Sequence, residues 1–231
     1  MSKMIVLVGA CSAGKSSTAK ALQDLLAEPN IHLGIDTFHL AIPPSKLNLS
    51  NPDEDYLYPR QSFEDGKLMT EIVHGPIIKQ INLARYESVC CFLDHGITVV
   101  SDEIFWREDD VKVFIEKLNG KEVILVGMYV SELEGEKRAN RRASSSRNYQ
   151  DNFRPVGMSM ASNRVTHRYM QYDITVDTDS LTPKECAQKI YDALHEKRLF
   201  NAFETLCGRY IKKPVIDAER KCQHHMETVE I

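Results

Sequence analysis

The feature that most constrains the fold of this chain is a glycine-rich octapeptide close to its first residue. Residues 9–16 read Gly-Ala-Cys-Ser-Ala-Gly-Lys-Ser and fit the phosphate-binding pattern GxxxxGK followed by Ser or Thr. A continuous apolar run at 4–8 precedes the octapeptide, and apolar residues at helical spacing follow it between 15 and 28. This order of strand, glycine-rich loop and helix is typical of an anion-binding site. The backbone N–H groups of the loop and the positive end of the helix dipole both face the anion. The octapeptide therefore predicts a nucleotide-binding P-loop.

Each residue of the predicted P-loop is a candidate contact with the nucleotide. The Lys15 ammonium would reach the β- and γ-phosphates, which makes Lys15 a predicted catalytic residue as well. The Ser16 hydroxyl would ligate Mg²⁺. The full set of predicted nucleotide contacts is Gly9, Ala10, Cys11, Ser12, Ala13, Gly14, Lys15, Ser16 and Ser17.

Apolar strands alternate with helical segments along most of the chain. We predict further strands at 31–35, 97–100, 122–129 and 173–177. We predict helices at 63–94, interrupted at Gly75-Pro76, and at 109–118, 131–147, 157–172 and 183–195. The polar stretch 41–62 contains four prolines and is predicted to be a loop. The alternation predicts an α/β fold in which helices cover both faces of a parallel sheet, the three-layer sandwich of P-loop proteins.

The predicted strands all lie in the first part of the chain. Residues 1–197 would form the P-loop domain, and residues 198–231 would add a C-terminal helical extension and a tail. We expect Leu199, Phe200, Phe203 and Leu206 to pack the first half of this extension onto the domain.

Two carboxylates are predicted to act beside the P-loop. Asp102 follows the apolar run 97–100, and ligands of a parallel sheet lie beyond the carboxyl ends of its strands. We predict Asp102 as a Mg²⁺ ligand together with Ser16, with Glu103 as the weaker candidate. Asp36 is predicted to end the second strand, where its carboxylate could accept the proton of an attacking hydroxyl. The alternative for Asp102 is a solvated acid at the end of a strand. The alternative for Asp36 is an acidic turn residue or a helix cap.

The segment 134–147 is strongly basic. Arg138 lies four residues before Arg142 and three before Arg141, so the three arginines share one helix face. We predict that this face closes over the phosphates as a lid and that the three arginines are catalytic, because they would neutralise charge in the transition state. A solvated basic face and an RNA contact are the open alternatives.

Composition narrows the class of protein further. The net charge of −4 over 231 residues argues against a general nucleic-acid binder, and no apolar stretch approaches the roughly 20 residues of a membrane span. The six cysteines show no paired spacing and no export signal precedes the P-loop, so we expect free thiols and a cytoplasmic protein. The oligomeric state is not predicted.

Several of these segments together resemble the chloramphenicol phosphotransferase-like proteins. Beside the P-loop, the resemblance rests on Gly34-Ile35-Asp36-Thr37, on the run 96–105 and on the run 172–178. It extends over residues 4–195, and matches poorly at 43–75 and 143–155. It implies a five-stranded sheet in the order 2-3-1-4-5, a helical lid, ATP and Mg²⁺, and transfer of the γ-phosphoryl group to a hydroxyl of a small molecule.

The resemblance also implies roles for individual residues. Asp36 matches the proposed base of the family, and the arginines that would clamp phosphate are implied among Arg138, Arg141 and Arg142, where the order of lid residues departs from the family's. Residues 43–75, which would recognise the acceptor, are unlike those of the antibiotic-modifying member. Chloramphenicol is therefore not implied as the substrate.

Two other functions stay open on the sequence. The basic residues within 137–147 would also suit a P-loop kinase that acts on a nucleotide-sugar or on RNA. The tail beyond residue 198, outside the resemblance, would suit a nucleotide-binding regulatory or effector protein that recruits a partner.

Overall fold

A computed structural model describes residues 2–145 and 155–211. Within these ranges the strands are β1 (Met4–Gly9), β2 (Asn30–His32), β3 (Leu57–Glu64), β4 (Lys67–His74), β5 (Thr98–Glu103), β6 (Val123–Tyr129) and β7 (Ile174–Asp177). The helices are α1 (Lys15–Gln23), α2 (Ile35–His39), α3 (Pro76–Asp94), α4 (Glu108–Leu118), α5 (Glu132–Ser145), α6 (Met158–Val165), α7 (Pro183–His195) and α8 (Ala202–Tyr210). A 3₁₀-helix spans Pro44–Leu47.

Five strands form a parallel sheet in the order β2-β5-β1-β6-β7. Numbered among themselves along the chain, these five strands follow the order 2-3-1-4-5, which confirms the predicted topology. The central strand β1 pairs Met4 with Val99 of β5 and with Val123 of β6. Every residue of β1 is buried, because helices cover both faces of the sheet.

Two hydrophobic cores lie on opposite faces of this sheet. Side chains alternate along β1, so that Met4, Val6 and Val8 face one core while Ile5 and Leu7 face the other. The first core is completed by α3, α4 and α8, and the second by α1 and α7. The architecture is the predicted three-layer sandwich.

Residues 57–74 form a hairpin where the sequence predicts the end of a loop and the start of a helix. β3 and β4 pair antiparallel over their full lengths. Asp65 and Gly66 make the turn with φ values of 52° and 73°, as Asp-Gly pairs do in tight hairpins. The prediction of a helix is therefore wrong for residues 63–74, whereas α3 begins at Pro76, at the predicted interruption. The predicted loop at 41–62 is wrong where it contains the 3₁₀-helix and most of β3.

The hairpin packs against α6 and forms a wall beside the sheet edge. The Thr70 N–H donates to the Gly157 carbonyl at 3.3 Å, and the Thr70 hydroxyl donates to the Val156 carbonyl at 2.7 Å. Arg164 of α6 pairs with Glu64 of β3 at 2.7 Å. These bonds join the hairpin to the chain segment that follows the predicted lid.

Other predicted elements are shorter or shifted. β2 ends at His32 instead of residue 35, and Asp36 lies in the first turn of α2 instead of at a strand end, because Gly34 is the extended N-cap of α2. α6 ends at Val165 instead of residue 172. The predicted helix at 131–147 is observed as α5, and its last two residues, 146 and 147, lie outside the described residues.

Helix α8 packs on the same core as the rest of the fold. Phe203 and Leu206 are buried among residues of α4 and the sheet, and Phe200 is partly buried against the second core. The expected packing is confirmed for these three residues and is wrong for Leu199, which is 89% exposed. Residues 212–231 lie outside the described residues, and the domain boundary after residue 197 stays a prediction.

No helix in the described part of the chain is both long and apolar enough to cross a membrane. The five cysteines within that part carry free thiols, and two of them, Cys11 and Cys186, are buried.

Candidate active site

The loop between β1 and α1 turns sharply before the helix begins. Ser12 and Gly14 have positive φ values of 67° and 87°, and Gly14 is the N-cap of α1. A glycine suits this position because a side chain there would strain the left-handed backbone. No side chain caps α1, so the first N–H groups of the helix are open to an anion.

Lys15 lies folded against the loop that precedes it. Its ammonium donates to the carbonyls of Gly9 at 2.8 Å and Ala10 at 2.7 Å, and the residue is 7% exposed. The arrangement keeps a positive charge at the loop. Of the nine predicted nucleotide contacts, six are buried, namely Gly9, Ala10, Cys11, Ser12, Ala13 and Lys15.

Asp102 connects the P-loop to the neighbouring strand ends. One carboxylate oxygen accepts a hydrogen bond from the Ser16 hydroxyl, and the other bonds His32 Nε2 at 3.0 Å. Burial favours a higher pKa, but the His32 bond, the Lys15 charge and the Ser16 bond outweigh it and lower the pKa of Asp102 to about 2. Asp102 is therefore ionised at neutral pH, beside the oxygen of Ser16.

Gly34 leaves the space that the Asp102 carboxylate occupies. A Cβ at residue 34 would lie 1.6 Å from Asp102 Oδ1 and 3.0 Å from His32 Nε2. The backbone at Gly34, with φ −78° and ψ 170°, is one that any residue adopts. The position therefore requires the absence of a side chain, which gives a physical reason for the glycine of the segment 34–37.

Glu103 lies on the opposite face of β5 from Asp102. Arg85 of α3 bonds both of its carboxylate oxygens, one of them at 3.0 Å, and the Ser101 hydroxyl donates to it at 2.8 Å. Arg85 and Glu103 are each 1% exposed. Because Glu103 is held by this buried ion pair, Asp102 is the only one of the two acids placed beside Ser16.

A single cleft brings several predicted site residues together. Asp36 of α2 lines the cleft with Lys15, Ser16 and Asp102, and Arg142 lines it from α5. The remaining lining residues come from the P-loop, α2, the hairpin, the segment after β5 and α6. They are Cys11, Ser12, Gly14, Ser17, Ile35, His39, Leu40, Leu57, Ile72, His74, Ile104, Trp106 and Met158.

The three predicted lid arginines have different surroundings. Arg138 pairs with Glu134 at 3.0 Å and donates to the Thr178 carbonyl at 2.6 Å, so it joins α5 to the residue after β7. Arg141 is exposed on α5, and Arg142 is the member of the three that lines the cleft. Arg147, at the end of the predicted basic segment, lies outside the described residues.

Two histidines of the cleft carry no signal in the sequence. The rings of His39 and His74 meet edge to face with centroids 5.8 Å apart. Burial lowers the pKa of both to about 4, so both are neutral at pH 7. One belongs to α2 and the other to the end of β4, and only the fold brings them together.

Two serines of helix α6 support the P-loop. The Cys11 N–H donates to the Ser162 hydroxyl at 2.9 Å, and the Ser159 hydroxyl donates to the Cys11 carbonyl at 3.1 Å. Both serines are buried. Sequence reasoning assigned them no role, because their spacing is that of any two residues on one helix face.

The sheet order, the P-loop and the acid at the next strand end define the fold as that of P-loop kinases. The chain belongs to the family described as "Chloramphenicol phosphotransferase-like protein", which matches residues 2–195. It is 32% identical over 210 residues to a protein of Mycobacterium tuberculosis strain H37Rv whose name proposes an O-phosphotransferase. The match covers 90% of this chain and 89% of that protein. Family and relative are those of a phosphotransferase.

Two solved structures that share the fold are described as kinases. A sugar kinase from Janibacter sp. HTCC2649 superposes with a TM-score of 0.55 at 13% identity, covering 84% of this chain and 95% of the other. The APS kinase of Mycobacterium tuberculosis, in complex with AMPPNP and APS, gives a TM-score of 0.56 at 14% identity and covers 84% and 98%. At these identities the likeness concerns the fold alone.

Proposed function

We propose that this chain is an ATP- and Mg²⁺-dependent phosphotransferase that moves the γ-phosphoryl group to a hydroxyl of a small molecule. The observation that carries the proposal is the one cleft that Lys15, Ser16, Asp36 and Asp102 share. Phosphoryl transfer needs a cation at the phosphates, oxygen ligands for a metal and a carboxylate near the attacking hydroxyl. The family and the mycobacterial relative support the same class of reaction.

The proposed step transfers one phosphoryl group and one proton. The acceptor oxygen forms a bond to the γ-phosphorus as the bond from that phosphorus to the β–γ bridging oxygen breaks. ADP leaves with the electron pair of the broken bond. Asp36 would take the proton of the acceptor hydroxyl, so the products are a phosphate monoester, ADP and a proton.

The residues beside the P-loop suit Mg²⁺. Among the residues that the structure describes, no group of three or more His, Cys, Asp and Glu side chains is placed to hold a metal ion. Mg²⁺ does not need such a cage, because it keeps several waters and binds one or two protein oxygens plus the phosphates. Ser16 and the ionised Asp102, already in contact, would be its protein ligands and the ion would neutralise phosphate charge.

Positive side chains would stabilise the charge that the transition state spreads over the γ-phosphoryl oxygens. Lys15 would exchange its bonds to the Gly9 and Ala10 carbonyls for phosphate oxygens. Arg142, which lines the cleft, is the proposed lid arginine. Arg138 and Arg141 remain proposed phosphate contacts. Arg138 would contact phosphate either while it keeps its hydrogen bonds to Glu134 and Thr178 or after these bonds break.

A metabolite screen tests the proposal. The purified chain is incubated with ATP, Mg²⁺ and fractionated small-molecule extract, and phosphorylated products are identified by mass spectrometry. We expect a phosphate monoester of a small alcohol that fails to form with EDTA or with the Lys15→Ala variant. Loss of the Lys15 ammonium removes the charge that holds the β- and γ-phosphates.

Three results would count against the proposal. The Lys15→Ala variant could form the same product at the same rate, or the product could form with EDTA present. Transfer only to RNA or to a nucleotide-sugar would favour the alternative substrates. Nucleotide binding without transfer to any acceptor would favour a regulatory protein.

A further inference from the structure

The two peptide groups that flank Cys11 are both held by helix α6. The Cys11 N–H donates to the Ser162 hydroxyl at 2.9 Å, and the Ser159 hydroxyl donates to the Cys11 carbonyl at 3.1 Å. The Ser162 hydroxyl in turn donates to the Ser159 carbonyl at 3.0 Å, so it serves as donor and acceptor at once. Ser159 and Ser162 are 4% and 0% exposed, and we call them the serine pair. Buried bonds on both sides of one residue fix the backbone at that point.

The serine pair acts next to a strained point of the P-loop. Ser12, the residue after Cys11, has a φ of 67°, in the left-handed region that residues other than glycine seldom adopt. Such a backbone persists only where its surroundings fix it against its own preference. The bonds to Cys11 supply this constraint, and the turn that they fix leads to Gly14, the N-cap of α1.

Helix α6 is also joined to helix α5. The Asn163 amide donates to the Val130 carbonyl at 2.8 Å, shortly before α5 begins. The Met160 N–H donates to the carboxylate of Glu136 in α5 at 3.1 Å. Because no side chain of the N-cap residue caps α6, Glu136 satisfies one of the N–H groups that the first turn of a helix leaves open.

Gly135 brings α5 against the serine pair itself. This glycine is buried, and a Cβ at its position would lie 2.9 Å from Ser159 Oγ. The next nearest atoms, Val130 Cγ1 and Cγ2, would lie at 3.6 and 3.9 Å, which are ordinary contact distances. The absence of a side chain at Gly135 therefore leaves room for one atom, the hydroxyl oxygen that bonds the Cys11 carbonyl.

A continuous series of contacts thus runs from α5 to the P-loop. Gly135 lies against Ser159, Ser159 bonds Cys11, and Cys11 precedes the left-handed turn at Ser12. Neither serine is among the residues that line the cleft. A change on the buried face of α5 would therefore alter the P-loop without any contact between that face and a nucleotide.

We propose that Ser159 and Ser162 are positioning residues that hold the P-loop in its phosphate-binding conformation, and that α5 controls this hold through Gly135. The inference rests on the proposed function, because it concerns how the same cleft binds the phosphoryl donor. The serine pair acts through the peptide groups of Cys11, and α5 acts through the Ser159 hydroxyl.

A double-mutant cycle tests the control by α5. The affinity for AMPPNP is measured by calorimetry with Mg²⁺ present for Gly135→Ala, Ser159→Ala and the double variant. We expect each single change to weaken binding about three- to tenfold, as for the net loss of one hydrogen bond. The double variant should bind no more weakly than Ser159→Ala, because without the hydroxyl oxygen the new Cβ meets no atom closer than 3.6 Å.

Two substitutions of the same kinds serve as controls. Gly208→Ala adds a Cβ in helix α8, where it would meet no atom within 4 Å. Ser88→Ala removes an exposed hydroxyl that donates to the Ala84 carbonyl within α3. Neither change should alter the affinity for AMPPNP.

Three results of the cycle would overturn the proposal. An unchanged affinity in Ser159→Ala would show that the serine pair does not position the P-loop. An unchanged affinity in Gly135→Ala would remove the control by α5. Factors that multiply in the double variant would show that Gly135 acts on the nucleotide by a route other than Ser159.

Hydrogen exchange of the nucleotide-free protein tests the serine pair independently. The amide of Cys11 is buried and bonded to Ser162, and mass spectrometry follows its exchange in P-loop peptides. Ser162→Ala removes the acceptor and should speed exchange at residues 10–14 about tenfold or more, with exchange in α8 unchanged. Equal exchange of the P-loop in the variant and the unaltered chain would contradict the proposal. Faster exchange over the whole chain would assign the serine to folding and contradict it as well.

AMPPNP binding by the unaltered chain separates this inference from the proposed function. Its absence would remove the proposed kinase function, and hydrogen exchange would still decide whether the serine pair fixes the P-loop. Its presence, together with an unchanged affinity in the variants, would remove the role of the serine pair and leave the kinase proposal intact.

Discussion

At the scale of single residues, contacts between distant segments build the end of the cleft where we propose that Mg²⁺ binds. Asp102 is bonded by Ser16 of the P-loop and by His32 of β2, and it fills the space that Gly34 leaves. The sequence could predict Asp102 and Ser16, because each follows a local pattern. It could not predict His32, because only the pairing of β2 with β5 brings that ring to Asp102.

Replacing Gly34 by alanine should disturb this contact specifically. The new Cβ displaces the Asp102 carboxylate, which then loses its His32 bond. We expect a loss of about 1–3 kcal/mol in the free energy of unfolding, as in overpacked sites, and a weaker dependence of AMPPNP binding on Mg²⁺. Urea unfolding and nucleotide titrations at several Mg²⁺ concentrations measure the two effects. An unchanged Mg²⁺ dependence would show that Asp102 does not act through the metal.

The end of the cleft lined by Asp36, His39 and His74 shows the limit of residue-level prediction. Asp36 was predicted at the end of a strand and lies instead in helix α2, but it does line the cleft. His39, His74 and Asn82 are neighbours that come from three elements without a shared motif. The hairpin brings His74 to the other two residues, and the sequence predicted a loop followed by a helix in its place.

At the scale of elements, the hairpin is the main departure from the predicted fold. The Asp65-Gly66 pair is a recognised hairpin signal, and the prediction of a helix from residue 63 passed over it. Elements with strong periodicity or caps agree better with prediction. In α7, Thr182 accepts from the Glu185 N–H at 3.3 Å, and the helix starts where the predicted N-cap places it.

Two glycine-to-alanine changes should shift stability in opposite directions. Gly66 has a φ of 73° in the hairpin turn, and Gly208 lies within the helix α8. A Cβ would meet no atom within 4 Å at either position, so only backbone preference differs. We expect Gly66→Ala to lower the free energy of unfolding by about 1–2 kcal/mol and Gly208→Ala to raise it by about 0.5–1 kcal/mol. Destabilisation by both changes in urea unfolding would contradict the turn assignment.

At the scale of the whole molecule, the order of the parallel sheet follows the family resemblance and the alternation of strands with helices. The C-terminal helix packs into one of the two cores, as its apolar side chains predicted. Phe203 of α8 meets Phe114 of α4 edge to face with centroids 5.7 Å apart, inside the core that also holds β1. The sequence could not show this, because an apolar helix face does not identify the surface that it covers.

Truncating Phe203 tests whether α8 belongs to the core. Phe203 is 4% exposed, so Phe203→Ala should cost about 3–5 kcal/mol of unfolding free energy and lower the single cooperative midpoint. Leu199→Ala is the matched control, since Leu199 is 89% exposed and should change the midpoint little. A separate transition for α8, with the main midpoint unmoved, would instead support an appended extension.

The proposed reaction depends most directly on Asp36. The measurement is phosphoryl transfer by Asp36→Asn to the acceptor found in the screen, with AMPPNP affinity measured on the same protein. Asp94→Asn, an exposed aspartate at the end of α3, is the control. We expect transfer to fall by about 10²–10⁴-fold in Asp36→Asn, as for the loss of a general base, while AMPPNP affinity stays the same. Transfer at the rate of the unaltered chain would contradict the account.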